Sequence, residues 1–445
     1  MYPQKIYNIP QSFVLGFYQD ENIKVISIEG NNVVFETAEP LLWESSQMQF
    51  SVFDLQQYSY QEFEVVDCAI VDSKKKDFSV QYRVQFAFSK NTAFLEKIQE
   101  LERILGEKPL GKVLHEYSTD YTEKEAVFCK NMMEQERYWY HLRLDKEYES
   151  VCGSLDEVEF AFAINNFDKY KLFSEQGIEK GVKTVLKEKA LDMHPLLLKK
   201  ISRVYIGNEF CPLNFPEQKV LEQLLEHAVK EKVKITVSLA YQREKNLENA
   251  KEIIQFLEKW CKEHSQSIEV VVNDWGMLYY VTEYCKKINT VLGRNLNKQK
   301  KDPRIDVRLG KFDLKEEYRE NNLKSEVLSE FLKSRGIQRY EFETCVQKLK
   351  IPSGMHSLHF PFYQINTSQY CTLYAACFNF QRSRQNPLDS CPQYCDEICF
   401  LYPEDMNMIG YGNSIFGYAK ELLEDSQVIK YYVENGIDRF VMDFL

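Results

Sequence analysis

The spacing of apolar and polar positions changes once along this chain. Between residues 12 and 88, short runs rich in β-branched and aromatic residues dominate, at 23–28, 32–37, 48–53, 63–71 and 78–86. Turn-forming residues separate them: Gly30, Asn31 and Asn32 after the first run, and a charged stretch from Asp72 to Asp77. Branched and aromatic side chains suit a pleated, half-buried surface, while Gly, Asn and Asp accept the backbone of tight turns. Five or six such strands on hairpin-length turns predict a small antiparallel β-barrel. A helix is predicted over 91–105, where Phe94, Ile98, Leu101 and Leu105 recur at helical spacing.

Residues 107–153 read as a helical connector. Its segment 122–146 is charged and aromatic, and Gly153 ends it. Beyond it, apolar runs at 158–164, 203–207, 233–240, 268–273, 290–293, 338–342, 357–362 and 439–444 alternate with amphipathic helical segments at 217–232, 246–263, 276–287 and 324–336. Eight strands separated by helices or long loops predict a TIM-like (β/α)8 barrel over 154–445. The chain is therefore expected to be α/β: a β-barrel with a helix over 1–106, the connector, then the larger barrel. A doubly wound open sheet is the rival, weakened by the lack of a Gly-rich first turn of dinucleotide-binding type. A barrel places its chemistry in the loops that follow its strands.

Composition narrows the function classes. A net charge of −11 over 445 residues speaks against an unselective grip on nucleic acid. Lys298, Lys300, Lys301 and Arg304 form a local basic run, read first as a solvated loop and second as an RNA contact. No stretch approaches the ~20 uninterrupted apolar residues of a membrane span, and the N-terminus lacks the apolar core of a signal peptide. A cytoplasmic location with no membrane partner is expected. Thiols stay reduced there, so the twelve cysteines are expected as ligands or buried small hydrophobes rather than disulfides. Cys68, Cys129, Cys152, Cys261, Cys285 and Cys345 are scattered and read as core filler.

The other cysteines are grouped. Cys211 closes the segment Val204-Tyr-Ile-Gly-Asn-Glu-Phe-Cys211, in the loop after the second predicted barrel strand. Cys377, Cys391 and Cys395 follow the seventh with C-x13-C-x3-C spacing, in a polar segment containing Pro387 and Pro392. Three thiols in such a loop make poor core filler. With Cys211 they complete the four thiolates of an iron–sulfur cluster, and zinc accepts the same set. Cys371 and Cys399 are reserve thiols, Cys399 able to replace Cys395 on spacing. At the same predicted mouth, Asn273, Asp274, Arg294 and Asn297 follow strands four and five. Arg294 and an amide there could clamp a substrate carboxylate, with Asp274 as proton acceptor. Asp274 reads equally well as a helix N-cap. Glu341 and Glu343 alternate on strand six, and His359 reads as a hydrogen-bonded core residue.

Val204 to Cys211, the segment Ala376-Cys377-Phe378 and the Cys391-x3-Cys395 pair together resemble the cysteine pattern of the peptidase U-thirty-two (U32) family, nearest its UbiV-type iron–sulfur proteins. The resemblance covers 155–445 loosely. It implies a barrel-like fold and a [4Fe-4S] cluster on Cys211, Cys377, Cys391 and Cys395, with Cys371 in reserve. It further implies oxygen-independent hydroxylation or a related redox modification of a small-molecule, peptide or RNA substrate, and a related protein as partner. A non-catalytic accessory subunit, a peptidase and a structural zinc protein remain alternatives. The first 106 residues resemble a PilZ domain through Ser27 and Gly30 in the first hairpin. Val25 replaces the acid or amide of that motif and no arginine precedes Arg83, so cyclic di-GMP binding is not expected and the module reads as an interaction domain.

Overall fold

The computed structural model describes residues 5–7, 13–19, 21–37, 40–54, 59–75, 79–107, 136, 139–301, 319–345, 347–371, 373–374, 388, 390–396, 399–401 and 407–445. Cys129, Cys377, Asp302, Arg304 and most of the predicted connector lie outside these residues. The chain divides into two compact units, Met1–Val127 and Phe128–Leu445.

The smaller unit carries β1 (Lys5–Tyr7), β2 (Val14–Tyr18), β3 (Glu21–Glu29), β4 (Asn32–Thr37), β5 (Met48–Asp54), β6 (Ser59–Val65), β7 (Ala69–Lys75) and β8 (Val80–Gln85). They form one antiparallel sheet in the order β6-β5-β2-β3-β4-β8-β7, with β1 added on β3. Val33, Phe35, Phe50, Val52 and Val84 fill its inner face, and helix Thr92–Glu107 lays Phe94, Leu95, Ile98 and Leu101 over them. The Phe94 ring meets Phe50, Phe63 and Phe86 at 4.9, 5.8 and 6.0 Å.

Two sequence expectations change here. The run 63–71 is not one strand, because Asp67 takes a left-handed conformation (φ 57°) and turns the chain between β6 and β7. Residues 66–68 alone then join the two edge strands, and no ladder closes the barrel among the described residues. Along β7 only Ile70 is sheltered, so closing the sheet would bury no continuous apolar face.

The larger unit holds β9 (Glu159–Ile164), β10 (Arg203–Gly207), β11 (Lys234–Ser238), β12 (Ile268–Val272), β13 (Ile288–Leu292), β14 (Glu341–Glu343), β15 (His356–Thr367), β16 (Phe400–Leu401), β17 (Met408–Tyr411), β18 (Ser414–Tyr418) and β19 (Ile437–Asp443). Eight of these run parallel in the order β13-β12-β11-β10-β9-β19-β15-β14, and each overlaps one of the eight predicted barrel strands. The ends of this run meet at one parallel bridge, Leu292 to Tyr340, where the Leu292 N–H donates to the Arg339 carbonyl at 3.2 Å. The three-residue β14 is too short for a ladder there, so the arrangement is mixed α/β with an unsealed seam.

Parallel strands covered on both faces read as nearly continuous apolar runs, which is why they stood out in the sequence. Ala161, Ala163, Tyr205, Val271, Val291 and Val441 cluster together, while Phe160, Phe162, Val204, Ile206, Val270 and Val272 join the large core built with the helices. Trp139 and helix Tyr148–Gly153 also pack into that core, Trp139 stacking on Tyr418 at 5.0 Å. The sequence did not show that β15 continues past 362. It runs to Thr367 and pairs antiparallel with β18, which carries β17 and β16. That hairpin extension holds the segment bearing Cys371.

Candidate functional site

A buried charged layer lies where β10, β13, β14 and β19 end, beside His359 within β15. Arg294 is its hub. Its Nε donates to Glu209 at 2.8 Å, its Nη1 to Glu343 at 3.2 Å, and its Nη2 stands 2.7 Å from Asp443. The guanidinium plane also covers the Phe210 ring at 4.7 Å. Three carboxylates hold Arg294 well above its ordinary range although burial pulls the other way. Lys301 pairs with the other oxygen of Glu343 and donates to Gln364 at 3.1 Å. His359 lies between Asp443 (3.2 Å) and Glu341 (2.8 Å). Burial and Arg294 push the His359 pKa down, but the two carboxylates outweigh them and it rises.

Asp443, in turn, is held low because Arg294, His359 and Lys169 overcome its burial. Lys169 is anchored by helix Phe167–Gln176, whose N-cap Asn166 accepts from the Lys169 N–H at 2.9 Å. Its ammonium donates to Asn165 at 2.7 Å and to the Phe444 carbonyl. Burial brings Lys169 down to about 7, against the attraction of Asp443. Paired charges of this kind tolerate burial only because nearly every lone pair and proton has a partner.

The residues singled out in the sequence fall at this mouth with roles set by their contacts. Both carboxylate oxygens of Asp274 accept backbone N–H groups, Oδ1 from Met277 and Oδ2 from Gln242, at 2.8 and 2.9 Å. It caps helix Trp275–Tyr284, the second of its two sequence readings. Asn273 bridges three loops, donating to Leu239 and Glu209 and accepting from the Asn295 N–H. Asn297 donates to the Glu341 carbonyl at 3.0 Å, while its own Oδ1 has no partner. Glu341 and Glu343 are both fully buried in the charged layer.

Glu209 and Asp443 carry the layer and were missed. Each is an acid at the end of an apolar strand run, in Val204-Tyr-Ile-Gly-Asn-Glu209 and Val441-Met-Asp443, and that placement is the signal that could have exposed them.

The cysteine loop begins two residues beyond Glu209. Gly207 takes φ 112° at the end of β10, and Asn208 then accepts the N–H groups of Phe210 and Cys211, both at 2.8 Å. This local turn aims Cys211 away from the strand. Asn413 donates to the carbonyls of Phe210 and Ser368, tying that turn to the segment entering Cys371. Burial pushes the Cys211 thiol up to about 12, and the charges of Cys371 and Cys391 add to it. Cys395 is likewise raised by burial, with Asp396, Cys211, Cys391 and Cys371 contributing. Three stretches of chain, carrying Cys211, Cys371 and the Cys391–Cys395 pair, therefore lie near one another.

Several backbone amides serve these sulfurs, as they do around thiolate-bound clusters. The Tyr374 N–H donates to Cys371 Sγ and the Gln393 N–H to Cys391 Sγ, each at 3.3 Å, and the amides of Leu213 and Asn214 favour the Cys211 thiolate. Among the described residues, no three His, Cys, Asp or Glu side chains stand as a set that could hold a metal ion. Thiols are the ligand type that iron–sulfur clusters use, but the described ones do not stand as a closed set here. Cys399 is buried in the core.

A cleft of about 460 Å³ opens beside this group. Arg294, Asn297, Lys301 and Gln364 line it, with Tyr241 and Trp275 on its walls. Tyr241 is the link: its hydroxyl donates to the Ser368 carbonyl at 2.9 Å, and its pKa is raised by burial and then by Cys211. Gln369, two residues before Cys371, lines the cleft as well.

No protein-family model matches this chain, and no curated protein matches it. Among solved structures, a protein described as a U32 peptidase is similar at 9% identity over 65% of this chain and 93% of its own, with a TM-score of 0.30. An uncharacterized Legionella protein is similar at 10% identity over 24% of this chain and 99% of its own, with a TM-score of 0.19. Overlap this loose transfers neither fold nor function. No described helix is long and apolar enough to cross a membrane.

Proposed function

We propose that this chain is a [4Fe-4S] protein of U32 type, with a TIM-like barrel in its larger unit, that supports an oxygen-independent hydroxylation or related redox modification. One observation carries the reading: Asn413 donates to the carbonyls of both Phe210 and Ser368, which draws Cys211, in the loop after β10, toward the segment of Cys371, more than 150 residues further along. Cys211, Cys391 and Cys395 would hold the cluster with Cys377 as fourth ligand, or with Cys371, which stands beside them. Such a group supplies one-electron transfer when bound.

The chain's own residues do the rest. Glu209 and Arg294 fix the Cys211 loop against the strand ends, so Arg294 acts as a positioning residue. Asn297 offers its free amide oxygen to whatever occupies the cleft, and Asp274 holds the wall by capping its helix. The smaller unit serves as an interaction module, suited to a related protein partner.

Proteolysis fits the site less well. Both ring nitrogens of His359 are taken by carboxylates, which leaves none to activate a nucleophile.

A panel of cysteine-to-serine variants tests the reading. Iron retained after anaerobic reconstitution should fall for Cys211→Ser, Cys391→Ser and Cys395→Ser but not for Cys152→Ser or Cys261→Ser, both buried in the core. Full iron in Cys211→Ser would refute it. Comparing Cys371→Ser with Cys377→Ser identifies the fourth ligand.

A further inference from the structure

Helix Glu326–Ser334 buries only part of its apolar set. Leu332 is fully buried, but Val327 and Phe331, one turn apart, are 78% and 40% exposed. Helix Trp275–Tyr284 beside it adds Trp275 and Tyr279, 46% and 51% exposed. These rings form one surface. Trp275 meets Phe331 edge-on at 6.0 Å, and the Arg335 guanidinium lies over Phe331 at 5.7 Å and Tyr279 at 5.3 Å. Glu283 pins Arg335 there at 2.5 Å. Aromatic side chains carry ~150–250 Å² each, so the three rings leave roughly 300 Å² open to solvent. A contiguous apolar patch of that order marks an interaction surface.

The charges around the patch select its partner. Along helix Glu326–Ser334 the exposed acids Glu326 and Glu330 come first, and the cations Lys333 and Arg335 follow. Among the described residues, Glu326, Glu330 and Lys333 form no ion pair with their own chain. A helix charged in this order is complementary to itself when reversed. Two copies laid antiparallel about a two-fold axis near Phe331 set Glu330 of each against Lys333 of the other, and Glu326 against Arg335. The two Phe331 rings then meet between the charged flanks.

We propose that this face joins two copies of the chain in a symmetric dimer, with Phe331 at its centre and Trp275 and Tyr279 beside it. The patch is smaller than the ~800 Å² per partner of a standard interface, so the dimer is a weak one. Trp275 also walls the cleft described above, which seats the second copy beside the cleft mouth. The inference does not depend on iron.

The test is sedimentation velocity of the full chain under reducing conditions from ~1 to ~300 μM, the range in which a weak dimer forms. Iron is measured on the same samples, and circular dichroism checks that each variant keeps its fold. The sedimentation coefficient should climb with concentration from monomer toward dimer. Phe331→Asp should weaken association about tenfold or more, as loss of a central aromatic anchor does. Glu330→Lys and Lys333→Glu should each weaken it about threefold to tenfold, because each brings like charges together twice across the axis. Mixing these two variants should restore association, since every cross-axis contact then pairs opposite charges. A chain that stays monomeric throughout, its patch left to a different protein or to a substrate, overturns the inference. So does a dimer unmoved by Phe331→Asp or not restored by the mixture. The iron measurement stands separately, so failure here leaves the cluster reading intact, and failure of that reading leaves this one.

Discussion

Glu209 accepts two hydrogen bonds from Arg294, one from Nε at 2.8 Å and one from the backbone N–H at 3.1 Å. The first residue stands two places before Cys211 and the second follows β13, so this contact joins the cysteine loop to the opposite side of the strand array. Asn295 reinforces it by donating to the Glu209 carbonyl at 2.9 Å.

Removing the cation should therefore cost stability as well as geometry. Arg294→Met leaves Glu209, Glu343 and Asp443 buried around no guanidinium, and breaking a buried pair from one side costs roughly 3–5 kcal/mol. Chemical denaturation of the iron-free protein should show a loss of that order. Glu209→Gln keeps an acceptor for Arg294 and should lose less. Equal stability in Arg294→Met and the parent would show that the layer contributes nothing.

Gly207 sets the direction of the same loop. A Cβ built there lies 2.3 Å from the Ser238 carbonyl oxygen and 2.9 Å from the Phe215 ring, at φ 112°. Gly207→Ala combines that clash with backbone strain of about 1–3 kcal/mol. The variant should unfold at lower denaturant and retain less iron than Gly336→Ala, where φ is 75° but an added Cβ meets nothing within 4 Å.

His359 and Lys169 give stability opposite dependences on pH. His359 is raised in the fold, so its contribution is full below ~6.5, the unfolded value, and fades as pH climbs through the higher folded one. Lys169 is lowered to about 7, so from there to ~10.4 the unfolded chain binds more protons and stability rises with pH. Unfolding free energies from pH 6.5 to 9 should therefore tilt upward in His359→Gln and downward in Lys169→Met, relative to the parent. Parallel profiles in all three would contradict both assignments.

Much of this architecture was written in the apolar runs. Eight strands were legible because a parallel strand shielded on both faces leaves a continuous apolar segment, as in Val204-Tyr-Ile and Val270-Val-Val. Asp67 was not legible as a break, since Glu62 to Val71 keeps β-like composition and only the left-handed backbone interrupts it. The thiols at 211, 391 and 395 announced themselves by type and spacing. Cys371 looked secondary because only folding back along β15 and β18 brings it beside Cys211. Arg294 read as a free clamp for a substrate because its three carboxylate partners come from 209, 343 and 443, and one-dimensional spacing does not show that they converge.

Iron and acid-labile sulfide in anaerobically purified protein test the central claim most directly. About four of each per chain are expected, with broad absorbance near ~400 nm that disappears in Cys211→Ser. A colourless protein that takes up no iron on reconstitution, or that holds a single zinc on the same thiols, would contradict it.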